Sequence, residues 1–329
     1  MLIDPFKRKI SYMRVSVTDR CDFRCTYCMN EEMEFLPKKE VLSLEELYRL
    51  CNVFIDLGVK KLRITGGEPL VRKNIMQFIK NLGKKLGRGL EELTLTTNGS
   101  QLHNYATDLY ESGVKRINVS LDTLDRNRFK QITKNGNFDQ VIKGIMTAKK
   151  AGLKIKINTV ALKGINDNEI LNLVNWCGEN KFFLTFIEVM PMGEIKEKRT
   201  DQYMPLTEIK KLIQTQYNIA DDSLKTGGPA KYVHCHETGQ KIGFITPHSH
   251  NFCELCNRVR LTCTGIMYMC LGRQDKADLI TPLRKSENNK LLKKAIYEAI
   301  SRKPKGHDFD IDREQGEIYV PRHMNVTGG

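Results

Sequence analysis

Six short β-rich runs alternate with amphipathic helical stretches through the first two-thirds of the chain, and this rhythm limits the fold more than any other feature. The runs lie at Tyr12–Val17, Lys61–Thr65, Leu93–Thr97, Arg116–Leu121, Lys154–Ala161 and Phe183–Val189. Between them the apolar spacing predicts helices over Ser43–Leu57, Asn74–Leu86, Leu102–Ser112, Asp139–Ala151 and Asp167–Glu179. The first is the most sharply bounded: Ser43 with Glu46 three residues on makes a capping box, and Gly58 supplies a stop. Strand–helix alternation of this size implies right-handed βαβ units and a parallel sheet. Such a sheet either stays open and doubly wound or curls into an incomplete (β/α)6-type TIM-like barrel.

The positions of the chemically unusual residues favour the barrel. Cysteines follow the first run, Gly66-Gly67-Glu68-Pro69 follows the second, Thr96-Thr97-Asn98-Gly99 ends the third and Ser120-Leu121-Asp122 the fourth. Lys156 and Asn158 lie in the fifth run, and the sixth leads to Met190-Pro191-Met192. An α/β barrel assembles its site from strand C-terminal ends all round the ring, whereas an open sheet gathers it at one switch point. From about Gln214 the rhythm fades. The expected division is therefore a barrel over residues 1–213 and an irregular C-terminal extension over residues 214–329.

Cys21, Cys25 and Cys28 supply three thiolates from one short loop, with no obvious fourth nearby. Structural zinc normally closes with four ligands, and ordinary iron–sulfur clusters also take four cysteines. Three on a four-iron cluster leave one iron open to a small molecule. This spacing, with Tyr27 before the last cysteine, resembles the radical S-adenosylmethionine superfamily; a zinc knuckle is the alternative. The Gly-Gly-Glu-Pro turn about forty residues on strengthens that resemblance, because glycines let a ligand approach the backbone. A second group, Cys253, Cys256 and Cys270, with Cys263 as a conceivable fourth, is compatible with zinc or iron–sulfur. His234, His236, His248 and His250 add donors that surface exposure would explain equally well.

Ten cysteines without a secretory leader or an apolar run long enough to span a bilayer argue for metal or redox chemistry in a soluble, cytoplasmic protein. A formal net charge of +14 suits a polyanionic ligand, although much of it is scattered lysine. One tryptophan and no basic aromatic stripe speak against a nucleic-acid groove. Cys51 and Cys177 fall in helical patterns and read as core thiols.

Cys256-Asn257-Arg258-Val259-Arg260 places two arginines on one face of an extended segment, where both can fork onto phosphate or guanine acceptors. With the run Arg14-Val15-Ser16-Val17-Thr18-Asp19-Arg20-Cys21, with Phe186-Ile187-Glu188-Val189-Met190 and with the closing Gly328-Gly329, nearly the whole chain resembles the GTP 3′,8-cyclases that open molybdenum cofactor biosynthesis. That resemblance implies a lyase that converts GTP to (8S)-3′,8-cyclo-7,8-dihydroguanosine 5′-triphosphate using S-adenosyl-L-methionine and two [4Fe–4S] clusters. Cys21, Cys25 and Cys28 would hold one cluster, and Cys253, Cys256 and Cys270 the other. Tyr27, Gly67, Ser120 and Met190 would contact S-adenosylmethionine. Arg14, Arg63, Thr96, Lys156, Arg258 and Arg260 would contact GTP, with Thr97 and Lys154 as competitors for two of those places.

The resemblance implies no catalytic group beyond the cluster ligands, save a role for Gly328 and Gly329 in the barrel mouth. It further implies a separate reductant, a product handed to cyclic pyranopterin monophosphate synthase, no membrane, no nucleic acid, and compatibility with a homodimer. Two other readings share some of these features: a radical peptide-modifying enzyme with an auxiliary cluster, and a zinc-dependent nucleic-acid-binding protein.

Overall fold

The computed structural model describes residues 1–195, 199–248, 253–307, 309–312, 316–318 and 320–328. The six runs become parallel strands β1 (Tyr12–Ser16), β2 (Lys61–Thr65), β3 (Glu92–Thr97), β4 (Arg116–Ser120), β5 (Lys154–Ala161) and β6 (Phe183–Glu188). Between them run α1 (Leu44–Asp56), α2 (Ile75–Gly83), α3 (Leu102–Glu111), α4 (Arg126–Thr133), α5 (Phe138–Lys150) and α6 (Ile170–Glu179). The capping box at α1 is formed: Ser43 Oγ accepts from Glu46 N at 3.1 Å, and Glu46 Oε2 accepts from Ser43 N at 2.9 Å.

Two expectations change. The helix beginning after Asn74 stops at Gly83 instead of Leu86, and Gly83 sits against the end of the next helix, where a Cβ would lie 2.0 Å from the carbonyl oxygen of Ser112. The stretch Arg126–Thr133, where no element was expected, is helical, with Asp125 Oδ1 accepting from Arg128 N at 2.7 Å as its cap.

The C-terminal third also carries more regular structure than its faded rhythm suggests. After β7 (Ile219–Asp222) and β8 (Lys231–Cys235), strand β9 (Lys241–Ile245) joins β6 in parallel. Strand β10 (Arg258–Leu261) joins β1 in parallel at the opposite edge, followed by antiparallel β11 (Ile266–Tyr268) and β12 (Lys276–Asp278). The sheet order is β12-β11-β10-β1-β2-β3-β4-β5-β6-β9-β8-β7, so it curls without closing: an incomplete barrel whose two edges are both completed from the C-terminal third.

Alternation along the strands sets what faces where. Met13 and Val15 of β1 and Leu62 and Ile64 of β2 are buried in one apolar cluster with Leu50 and Phe54 of α1 and Ile79 of α2. Each such side chain contributes about 2 kcal/mol on burial, so the layer between strands and helices can hold the fold. The opposite face carries Tyr12, Arg14, Lys61, Arg63, Arg258 and Arg260. Barrel interiors are ordinarily filled by branched apolar side chains; here cations replace them.

Candidate active site

The register puts the cations in rows. Tyr12 lies between Arg258 and Lys61, and Arg14 between Arg260 and Arg63, on three adjacent parallel strands. They form one wall of a chamber that is also lined by Lys156, Asn118 and the second cysteine group. A second chamber is lined by Cys21, Cys25, Tyr27, Cys28, Gly66, Gly67, Thr96 and Ser120. Asn158, Ile187, Met190 and Met324 line both, so the two chambers adjoin inside one barrel.

The first cysteine loop is held by the glycine turn. Gly67 N donates to Thr18 O and Glu68 N to Arg20 O, both at 2.8 Å. A Cβ on Gly67 would lie 2.4 Å from Arg20 O, so only glycine permits this approach. Glu68 turns away from the chamber and is wholly buried, accepting from Leu70 N at 3.0 Å, Thr97 Oγ1 at 2.8 Å and Asn98 N at 2.6 Å. Thr97 is thus engaged in bracing the turn, while Thr96 accepts from Arg63 Nη1 at 3.0 Å; both line the same chamber. Lys156 lines the cationic chamber with Nζ 3.2 Å from Tyr232 Oη, whereas Lys154 is exposed at the start of β5.

Burial pushes the thiols of Cys25 and Cys28 up, and nearby anionic groups add to it: Cys28 and Asp122 for Cys25, Asp122 for Cys28, which reaches about 12. Such thiols remain protonated until a metal centre displaces the protons. Tyr27 donates to Asp122 Oδ2 at 2.7 Å, and burial raises that carboxyl to about 6. In the other group, burial raises Cys253 and Cys270, while Cys256, although burial opposes it, is brought down to about 7 by Arg258 and Lys303.

Among the described residues no three Cys, His, Asp or Glu side chains converge closely enough to grip one metal ion. Each triad instead lines a chamber with room for a larger body. Other polar atoms there await partners: the donor Arg14 Nε, the hydroxyl Thr65 Oγ1 and the acceptors Asn118 Oδ1 and Asn158 Oδ1 are buried without a hydrogen bond. Buried polar atoms ordinarily find a partner, so a polar ligand is the natural complement. Cationic crowding gives the same answer. Burial, then repulsion from Arg63, Arg116, Lys61 and Arg14, pushes Lys156 well down, and burial with repulsion from Arg14 and Arg258 does the same to Arg260. An anion relieves both.

Tyr12 was not among the expected site residues, although it shares its strand face with Arg14 and could have been found by counting two back. Its hydroxyl takes the Arg63 Nε hydrogen at 2.5 Å. Burial raises the phenol, but Arg63, Arg14, Lys61 and Arg258 outweigh that and lower it to about 7.

Other candidates fall outside. Cys263 is buried beside Asp19 and Arg72 and lines neither chamber, and Cys51 and Cys177 are core residues. His234 on β8 and His236 just beyond it meet edge to face at 5.1 Å, with His234 beside Lys241, and neither lines a chamber. His248 is held by Val189 O at 2.9 Å; His250 and Gly329 lie outside the described residues.

Gly328, by contrast, is in the barrel mouth. It follows the helical turn Met324–Thr327, its carbonyl accepts from Arg260 Nη1 at 2.5 Å, and at φ 71° a Cβ there would lie 2.1 Å from Thr65 Oγ1. Asn325 Nδ2 ties the same turn to Asp19 O at 2.9 Å.

Residues 15–177 match the family model described as Radical SAM superfamily, and residues 182–309 match Molybdenum Cofactor Synthesis C. The chain is 63% identical to a GTP 3′,8-cyclase of Mesorhizobium japonicum, covering 100% of this chain and 99% of that one. It is 62% identical to a GTP 3′,8-cyclase of Rhizobium etli, covering 100% and 94%. Streptococcus suis SuiB, solved bound to S-adenosylmethionine, shares the fold at a TM-score of 0.60 and 18% identity, over 88% of this chain and 68% of that one. At that identity the likeness is one of fold alone. The full-length identity is to cyclases, and with it the zinc-dependent and peptide-modifying readings give way: the chain belongs to the GTP 3′,8-cyclase family of the radical S-adenosylmethionine superfamily.

Proposed function

We propose that this chain converts GTP to (8S)-3′,8-cyclo-7,8-dihydroguanosine 5′-triphosphate, the first step of molybdenum cofactor biosynthesis. The observation that carries the reading is the pair of adjoining chambers, one built on Cys21, Cys25 and Cys28 and the other on clustered cations with Cys253, Cys256 and Cys270. Membership of the family brings S-adenosylmethionine and iron–sulfur chemistry; that there are two [4Fe–4S] clusters, one on each triad, is part of the proposal. When bound, the first cluster and S-adenosylmethionine together supply a 5′-deoxyadenosyl radical by one-electron reductive cleavage.

The chain's own residues do the rest by position. Gly66 and Gly67 leave backbone open to the methionine end of the cofactor, and Tyr27, Ser120 and Met190 line the remainder of its chamber. Arg14, Arg63, Lys156, Arg258 and Arg260 meet a triphosphate of about four negative charges. Thr96, fixed by Arg63, lines the cofactor chamber and is offered to the substrate from that side. The second triad faces the purine. Met190 and Met324, at the junction, keep water from the path between the radical and C3′ of GTP. Loss of the 3′ hydrogen atom, bonding of C3′ to C8, and delivery of one electron and one proton give a product isomeric with GTP. The reductant is a separate partner, and the consumer of the product is cyclic pyranopterin monophosphate synthase. Among the described residues no helix is long and apolar enough to cross a membrane.

Anaerobic incubation with S-adenosylmethionine, dithionite and a panel of nucleotides, with products read by mass and retention, tests the reading. An isomer of GTP forms and the other nucleotides stay unchanged; turnover of every purine nucleotide alike would contradict it.

A pH dependence follows from Tyr12. A neutral phenol tolerates the incoming triphosphate better than a phenolate, and the triphosphate neutralises the cations that hold the phenol down. Binding therefore raises its pKa and takes up a proton. Affinity is full below about pH 7 and weakens by up to about tenfold per pH unit above it, until the bound-state pKa is reached. Tyr12→Phe flattens this slope. Titration of GTP binding between about pH 6 and about pH 9 checks it; equal slopes in the two proteins would remove Tyr12 from the account.

A further inference from the structure

Lys303 is 2% exposed, yet among the described residues no carboxylate pairs with it. Its Nζ donates to Met269 O and lies 3.8 Å from Cys256 Sγ. A buried ammonium without a counter-charge is strongly disfavoured, so something anionic belongs beside it. The nearest candidates are the thiols of the second triad.

The segment that carries Lys303 is fixed there from the far end of the chain. Arg8, itself 8% exposed, donates through Nη1 to Cys253 O and to Lys305 O, both at 2.7 Å, and through Nη2 to Pro304 O at 2.6 Å. Asp4 Oδ2 accepts from Arg8 Nε at 2.6 Å and completes a buried ion pair. One guanidinium thus ties the backbone of a triad cysteine to the two residues after Lys303. That arrangement holds the distance between the ammonium and the cysteine loop.

We propose that Lys303 is the buried counter-cation of the second iron–sulfur centre, donating an N–H···S hydrogen bond to the Cys256 thiolate and setting the centre's reduction potential. The inference rests on the reading that Cys253, Cys256 and Cys270 hold such a centre. Cluster potentials respond to net charge and to hydrogen bonds on the sulfurs. A fixed positive charge favours the more negative, reduced state and raises the potential. Lys303 is a positioning and tuning residue; it lines neither chamber wall where substrate is expected.

The test uses the full chain carrying Cys25→Ser, so that only the second triad can load, reconstituted anaerobically with iron and sulfide. Iron per chain is measured, and potentiometric titration is followed by electron paramagnetic resonance. Relative to this parent, Lys303→Met and Lys303→Gln shift the potential to more negative values, and Lys303→Arg returns it toward the parent. If the Met variant does not fold by circular dichroism, the Gln variant, which keeps polarity without charge, carries the measurement. Loss of iron in Met and Gln but not in Arg supports the proposal equally. Unchanged potential and iron content in Met or Gln overturns it, as does a shift that Arg leaves uncorrected, which would mark a packing role. A parent that binds no iron overturns the reading of the triad itself, an outcome visible before any Lys303 variant is compared.

Discussion

Cys25→Ser abolishes formation of 5′-deoxyadenosine and removes the iron of the first site while leaving that of the second. Cys25 is one of three thiols on a loop held against Gly66 and Gly67, and no other cysteine lines that chamber. A serine hydroxyl is a poor donor to iron that thiolates hold, and two remaining thiols leave the centre unclosed. The fold itself is expected to persist, because Cys25 is only partly buried at the margin of the apolar cluster and serine is close to it in size. Iron and sulfide analysis, with chromatography of the nucleoside released, checks both halves. Cofactor cleavage at the wild-type rate in this variant would sink the assignment of the first triad.

Arg260→Ala behaves differently. Arg260 lines the cationic chamber and also holds the carbonyl of Gly328 at 2.5 Å and that of Thr327 at 3.4 Å, so its loss both empties a substrate contact and frees the tail from the mouth. A misplacement near 1 Å costs on the order of a hundredfold in rate. Cyclised product is expected to fall by about that factor, while cleavage of S-adenosylmethionine continues because the first triad is untouched. The ratio of 5′-deoxyadenosine to cyclised nucleotide therefore rises. Deleting residues 328–329 raises it too, through the tail alone. A ratio equal to wild type in both variants would mean that this edge of the barrel does not position substrate.

The six strands were legible as short β-rich runs that end in turns, and all but Phe183–Glu188 largely alternate apolar and polar residues. In Tyr12–Ser16 and Lys61–Thr65 that alternation also separated the core face from the chamber face. Strand β9 escaped notice and β10 was read only as an extended segment because their neighbours in the sheet, β6 and β1, are distant in sequence. The arginine pair at Arg258 and Arg260 was nonetheless visible as a shared strand face, and its register with Tyr12 and Arg14 gives that face its purpose.

Thr96 and Thr97, and Lys156 and Lys154, have different surroundings that the sequence does not display. The difference lies in what each side chain meets: Glu68 for Thr97, open solvent for Lys154. Tyr12 and Lys303 show two kinds of omission. The first sat two residues from a residue already singled out. The second was hidden in a lysine-rich stretch, Arg302-Lys303-Pro304-Lys305, where nothing in composition marks one lysine as buried.

The central claim is that one barrel brings a radical made at the first triad to a nucleotide held by the cations and the second triad. GTP carrying deuterium at C3′, incubated anaerobically with S-adenosylmethionine and dithionite, tests it most directly. The account predicts deuterium in the 5′-deoxyadenosine and, in matching amount, an isomer of GTP. Deuterium-free 5′-deoxyadenosine alongside unaltered GTP would contradict it.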